Sequence, residues 1–212
     1  MDPQVGGPMV KVQEFRSELC KLLIKTVALK FGIFKLTSGK LSPYYVDLRL
    51  IPSFPEAFRK VIGFYKHVIE SEVPELDRVA GVPTAGIPFA SVVAYELRKP
   101  FIYVRKEAKL HGRERRVEGY LSPGDKILIV DDLATTGKSS SEAVDAIRSE
   151  GGVVTDLVVL IDREEGAKKR MDEMGVKLHS VTSIREIAEE LYNAGALSKE
   201  QYDEIMRQQT SS

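Results

Sequence analysis

Apolar residues along the chain recur at two spacings. Residues 12 to 31 place Val12, Phe15, Leu19, Leu22, Leu23, Val27 and Leu29 at helical spacing and end at Gly32, so the pattern predicts an amphipathic helix with a glycine stop. A hairpin-like segment follows, FKLTSGKLSPYYVDLRL at residues 34–50. Beyond residue 55 helical stretches alternate with short apolar runs: helix 55–71, strand 78–82, helix 88–98, strands 101–105 and 126–131, helix 139–150 and strand 153–161. That alternation predicts an α/β fold, an open, mostly parallel twisted sheet with helices on both faces. Residues 183–209 read as two closing helices, the first with Ile184, Ile187 and Leu191 on one face.

The length, 212 residues, suits one domain with a substantial core. We divide it into a flexible tail, 1–9, and a single domain, 10–212. The domain comprises an N-terminal helix and hood (10–54), an α/β core (55–182) and C-terminal helices (183–212).

Composition narrows the function classes. Lys plus Arg and Asp plus Glu both total 31, so no global positive charge points to nucleic acid. The single cysteine, Cys20, excludes an internal disulfide framework or a thiolate metal cluster. No run approaches the ~18 apolar residues of a membrane span, and MDPQVGGPM lacks the apolar core of a signal peptide. A soluble protein of the cytoplasm is the expectation, with no nucleic acid or membrane as partner.

In open α/β sheets ligands bind beyond the carboxyl ends of the strands, so the strand-end loops carry the chemistry. The first is DDLATTGKSS, residues 131–140, after the apolar run 127–130. Its GKSS ending resembles a Walker A loop, but the position that loop reserves for its first glycine is Asp132, whose carboxylate repels a nucleoside triphosphate. What remains is a strand ending in Asp131 and Asp132, then a small-residue loop with Thr135, Thr136 and Ser139 leading into a helix start, which favours an anion. A ribose 5-phosphate satisfies both halves: its diol donates to the acids and its phosphate meets the loop. Ser139 and Glu142 also have the spacing of a capping box for the helix.

The second loop, VRKEAKLHGRERRVEGYL, packs Arg105, Lys106, Lys109, His111, Arg113, Arg115 and Arg116 into twelve positions. It has two readings. One is a solvated hairpin whose Glu107, Glu114 and Glu118 offset the charge; the other is a lid, hinged at Gly112 and Gly119, that closes over a diphosphate. The third loop, GVPTAGIPFA at 81–90, suits a rigid turn after a strand, or a second anion cradle.

Together these segments resemble the type I phosphoribosyltransferase family, whose shared motif of an apolar strand, two acids and a Thr/Gly loop is matched by ILIVDDLATTGKS. The narrower resemblance is to orotate phosphoribosyltransferases. FKLTSGKLSPYYVDLR is similar to their N-terminal S-G-x-x-S-P-x-Y segment, GVPTAGIP to their diphosphate-side turn, RKEAKLHG to their mobile catalytic loop and IDREEG to their base-binding strand end. Thr37 and Ala85 stand where some members carry lysine, which leaves Lys35 and Lys40 as candidates to meet the base carboxylate.

The resemblance implies that phosphoribosyl diphosphate and orotate give orotidine 5′-monophosphate and diphosphate, a step of pyrimidine biosynthesis. In that reading Asp131 and Asp132 hold the ribose hydroxyls, and Leu133, Ala134, Thr135, Thr136, Gly137, Lys138 and Ser139 form the phosphate loop. Arg105, Lys106, Lys109 and His111 neutralise the leaving diphosphate, with Lys109 foremost for transition-state charge. Thr135 and Arg163 contact the pyrimidine, unless Arg163 forms a surface ion pair with Glu164 or Glu165. Mg²⁺ is carried mainly by the substrate, and no metal-ligating residue is assigned. The hood, 10–54, is base-binding, and the family implies a homodimer whose lid completes the neighbour's site. Two rivals remain. One is a purine-base phosphoribosyltransferase, which does not account for SGKLSPYY; the other is a non-catalytic phosphoribosyl diphosphate sensor, which does not account for Lys109 and His111.

Overall fold

The computed structural model describes residues 8–35, 39, 41–107 and 115–210. The chain divides into two compact units, residues 58–183 and residues up to 57 together with 184–211.

The larger unit holds a six-stranded sheet in the order β5-β4-β3-β6-β7-β8. Its strands are β3 (Arg78–Gly81), β4 (Phe101–Val104), β5 (Val117–Glu118), β6 (Lys126–Ala134), β7 (Val153–Asp162) and β8 (Lys177–Ser183). All neighbours run parallel except the short edge strand β5, antiparallel to β4. The central strands β6 and β7 are buried through most of their length, as continuous apolar runs covered on both faces must be.

Alternation along β6 sends side chains to opposite faces. Ile127 and Ile129 join a core with Ala143, Val144 and Ile147 of α4 (Lys138–Ser149) and Ala167 and Met171 of α5 (Ala167–Glu173). On the other face α3 (Gly86–Glu96) lies against β3 and β6. Its Phe89 meets Phe58 and Tyr65 of α2 (Pro55–Glu72), with ring centroids 5.4 and 6.0 Å apart. The predicted mostly parallel α/β sheet is therefore the fold. Three of its elements, β5, α5 and β8, were not read from the sequence, because a two-residue strand, a seven-residue helix and the mixed pattern of KLHSVTS carry little periodicity.

In the smaller unit α1 (Pro8–Lys25) is followed by the antiparallel hairpin β1 (Leu29–Lys35) and β2 (Leu41–Val46). The helix ends six residues before the predicted limit, and Gly32 sits inside β1 rather than at a helix stop. The chain turns where the Thr26 hydroxyl bonds the Leu22 carbonyl at 2.8 Å and Val27 adopts φ 58°. Val27 and Leu29 fit a helical stripe, but pairing Leu29 with Val46 and Phe31 with Tyr44 wins. Helices α6 (Ile184–Asn193) and α7 (Lys199–Thr210) are the two closing helices. Helix α6 packs on α1, where Arg16 pairs with Glu186, and α7 packs on β2, where Gln209 donates to the Tyr44 hydroxyl at 3.4 Å. Among the described residues no helix is long and apolar enough to cross a membrane.

Candidate active site

The sheet order places a crevice. From β3 the chain passes through α3 to β4 on one side, and from β6 through α4 to β7 on the other. The gap between the carboxyl ends of β3 and β6 is thus a topological switch point, where α/β sheets bind ligands. Pairing between these strands ends at Gly81 with Val130, after which Val82 N–H reaches the Val130 carbonyl at 3.4 Å. Strand β6 continues alone on that side through Asp131 to Ala134, three residues past its predicted end, still paired with β7 as far as Asp162.

Asp131 therefore lies within a strand and is 6% exposed. Helix α3 starts directly against it. A Cβ on Gly86 would stand 2.5 Å from Asp131 Oδ1 and 3.0 Å from its Cα, so only glycine lets the helix start approach the carboxylate. Oδ1 accepts the Asp132 backbone N–H at 2.9 Å, and the Tyr65 hydroxyl donates to the Asp131 carbonyl at 2.7 Å. Burial, reinforced by the neighbouring charge of Asp132, holds the Asp131 carboxyl well above the usual carboxylate range. The two acids are close enough for a side-chain hydrogen bond. An acceptor pair under this strain is relieved by ligand hydroxyls that donate to it, or by positive charge arriving beside it.

The loop that follows has its carbonyls tied back. Ala134 O accepts from Arg163 N–H at 2.9 Å, Thr135 O from Ala167 N–H at 3.0 Å, and Thr136 O from Arg170 Nε at 2.8 Å. Gly137 then adopts φ 73°, and a Cβ there would meet Ala167 Cα at 3.1 Å. With three successive carbonyls engaged by the segment around α5, the loop presents its N–H groups on the other side, as an anion nest requires. The predicted Ser139/Glu142 capping box does not form. Gly137 is the N-cap and no side chain caps α4, while Glu142 lies 3.9 Å from Arg116. The helix start is left to an anion.

The described part of the cationic loop is a clamped stem. Arg105 N–H donates to Arg116 O at 2.8 Å, and the Arg105 guanidinium pairs with Glu118 at 3.1 Å. The Arg116 guanidinium reaches the Arg105 carbonyl at 3.1 Å and that of Lys106 at 3.3 Å. Lys109, His111 and Arg113 lie outside the described residues, as do Thr37 and Lys40. A cavity of about 340 Å³ opens between this stem and the start of α4, lined by Pro83, Lys106, Arg116, Lys138, Ser139 and Glu142. A larger one, about 470 Å³, lies at the amino ends of β3 and β6. Its cations are already matched, Lys126 by Glu75 and Lys99 by the Leu76 carbonyl, and it stands at the end of the sheet remote from the acids. The smaller cavity is the better anion site.

Arg163, at the end of β7, is 7% exposed. Its guanidinium stands 2.7 Å from Glu165, so the alternative of an ion pair is realised, but in a buried setting rather than at the surface. Beside it burial raises the Asp162 carboxyl, which accepts the Glu164 N–H at 2.8 Å. Sequence reasoning missed Tyr65, Ala167 and Arg170, none of which carried a local signal. Gly86 lay in the turn read at 81–90, but its close approach to Asp131 was not foreseen.

An acidic pair and a loop whose carbonyls are turned away thus stand together at the switch point of a parallel sheet, where open α/β folds bind ligands. A family model for the phosphoribosyl transferase domain matches residues 53–194. The orotate phosphoribosyltransferase of Sulfurisphaera tokodaii is 45% identical over 181 residues, 85% of this chain and 91% of that one. The solved structure of orotate phosphoribosyltransferase from Aeropyrum pernix aligns with a TM-score of 0.76 at 36% identity, covering 85% of this chain and 99% of that one. That of Leishmania donovani UMP synthase aligns with a TM-score of 0.83 at 34% identity over 92% of this chain, which spans 42% of that protein's length. The chain belongs to the phosphoribosyltransferase family, among its orotate phosphoribosyltransferases.

Proposed function

We propose that the chain transfers the phosphoribosyl group of phosphoribosyl diphosphate to orotate, giving orotidine 5′-monophosphate and diphosphate for pyrimidine biosynthesis. The observation that carries this reading is the mutually repelling pair of buried Asp131 and half-buried Asp132 beside a loop whose carbonyls are tied back. The acids accept hydrogen bonds from the ribose hydroxyls, and Leu133 to Ser139 hold the 5-phosphate.

The anomeric C–O bond to diphosphate breaks and a C–N bond to the pyrimidine forms. Positive charge builds on the ribosyl group beside the two carboxylates, so catalysis is electrostatic and positional, without a covalent nucleophile. Negative charge builds on the diphosphate. Arg105, Lys106, Lys109 and His111 neutralise it, and the cavity lined by Lys106 and Lys138 gives it room. Arg163 and Thr135 meet the pyrimidine, Arg163 exchanging part of its pairing with Glu165 for the orotate carboxylate. Mg²⁺ would be carried mainly by the substrate and would supply positive charge to its diphosphate; the hard carboxylates of Asp131 and Asp132 would be suited to accept hydrogen bonds from its waters.

The enzyme acts in the cytoplasm as a homodimer whose lid, around Lys109 and His111, completes the neighbouring site. The test is the loss of orotate absorbance on mixing the protein with phosphoribosyl diphosphate and Mg²⁺, run beside adenine, guanine and hypoxanthine. Turnover of orotate alone is expected. Turnover of a purine in its place overturns the assignment.

A further inference from the structure

We propose that Tyr65 is a positioning residue for the sugar-binding acids, its hydroxyl linking β6 to β7 at an irregularity of their ladder and so fixing the peptide that aims Asp131. The inference rests on the reading of Asp131 and Asp132 as acceptors for the ribose hydroxyls.

Tyr65 comes from α2 and is fully buried. Its hydroxyl donates to the Asp131 carbonyl at 2.7 Å, while its oxygen accepts a hydrogen bond from the Leu160 backbone of β7. In a regular parallel ladder the two backbone groups would bond each other. Here the register passes from Asp131 opposite Val159 to Leu133 opposite Ile161, with no bridge between Asp132 and Leu160. The Tyr65 hydroxyl sits beside this irregularity, linking Asp131 of one strand to Leu160 of the other.

That placement reaches the carboxylate through two hydrogen bonds. The Asp131 carbonyl and the Asp132 N–H belong to one planar peptide, so holding the carbonyl sets the direction of the N–H. The N–H in turn donates to Asp131 Oδ1 at 2.9 Å. Gly86 bounds the same oxygen on the α3 side, with no room for a Cβ. The carboxylate is thus held from its own backbone on one side and by a helix start on the other. A buried phenol would find a partner for its hydroxyl in any fold. What is particular here is that both partners are backbone groups of adjacent central strands, at the residue that begins the ligand loop.

The experiment is Tyr65→Phe, which deletes the hydroxyl and keeps the ring against Phe89. Binding of two probes is titrated on the full-length protein: ribose 5-phosphate, which engages acids and loop, and inorganic phosphate, which engages the loop alone. We expect Tyr65→Phe to weaken ribose 5-phosphate by about tenfold and to leave phosphate within about twofold. A control, Phe89→Leu, disturbs the same packing but keeps the hydroxyl, and should lower thermal stability without a selective loss of ribose 5-phosphate. In the unmutated protein the Tyr65 hydroxyl proton should shift in the NMR spectrum on adding ribose 5-phosphate and not on adding phosphate, a measurement that stands even if the variant does not fold. An unchanged ribose 5-phosphate affinity, an equal loss for both probes, or an indifferent hydroxyl proton overturns the role of Tyr65. If the unmutated protein binds ribose 5-phosphate no better than phosphate, the sugar reading of the acids fails, and the inference with it.

Discussion

The fold itself disfavours the ionised form of Asp131, and Asp131→Asn should make the protein more stable while abolishing turnover. The carboxylate is 6% exposed and faces the charge of Asp132. An acid whose pKa is raised by folding costs stability when ionised: the cost is present above the folded pKa and disappears as pH falls through it towards the ordinary value of about 3.9. Each unit of elevation is worth about 1.4 kcal/mol, and a contact between like charges contributes at most about 4 kcal/mol at the effective dielectric of a protein. Asparagine keeps Oδ1 for the Asp132 N–H and turns the repulsion into an amide donor beside a carboxylate. A gain of about 1–3 kcal/mol is expected at neutral pH, or roughly 3–10 °C in Tm for a domain of this size. The assay is thermal unfolding of both proteins from pH 8 to pH 4. The difference should be largest at neutral pH and above, and should close as the solution is acidified. A variant less stable at neutral pH, or a gain that does not change with pH, would refute the electrostatic account of the site.

Gly86→Ala places a methyl group 2.5 Å from Asp131 Oδ1; a loss of about 1–3 kcal/mol in denaturant unfolding is expected, together with weakened phosphoribosyl diphosphate binding. Arg170→Ala releases the Thr136 carbonyl and should raise the Kd for inorganic phosphate several-fold, whereas Arg170→Lys restores part of the loss; equal affinities would remove the idea that tied-back carbonyls shape the nest. Arg163→Ala should raise the KM for orotate by tenfold or more with little change for phosphoribosyl diphosphate, and an unaltered orotate KM would leave Arg163 as a buried partner of Glu165 alone. Co-refolding equal amounts of Asp131→Asn and Lys109→Ala chains should restore activity to about a quarter of sites if a symmetric dimer shares its lids; a mixture as inactive as its parents would contradict that sharing.

The segment from Ile127 to Ser139 was legible in the sequence because its meaning is local. An apolar run buried on both faces, two acids and a small-residue loop lie in continuous order, and neither the strand nor the helix start needs a distant partner to be recognised. The N-terminal helix was misjudged at Val27 and Leu29, where one apolar pattern fits a helical stripe and a strand equally well and pairing with β2 decides. The Ser139/Glu142 motif had the spacing of a capping box, yet the approach of Gly137 to Ala167 sets the helix start instead.

The partners that shape the site are distant in the chain: Tyr65 lies 66 residues from Asp131, and Arg170 lies 34 from Thr136. By itself, then, the sequence determined the apolar strand, the acidic pair at its end and the small-residue loop that follows, since binary pattern and composition act over a few residues. How closely a helix start approaches Asp131, which carbonyls of the loop are turned away, and how far the Asp131 carboxyl is raised were decided only by the tertiary structure. Those quantities depend on burial and on contacts between elements brought together by the order of the strands.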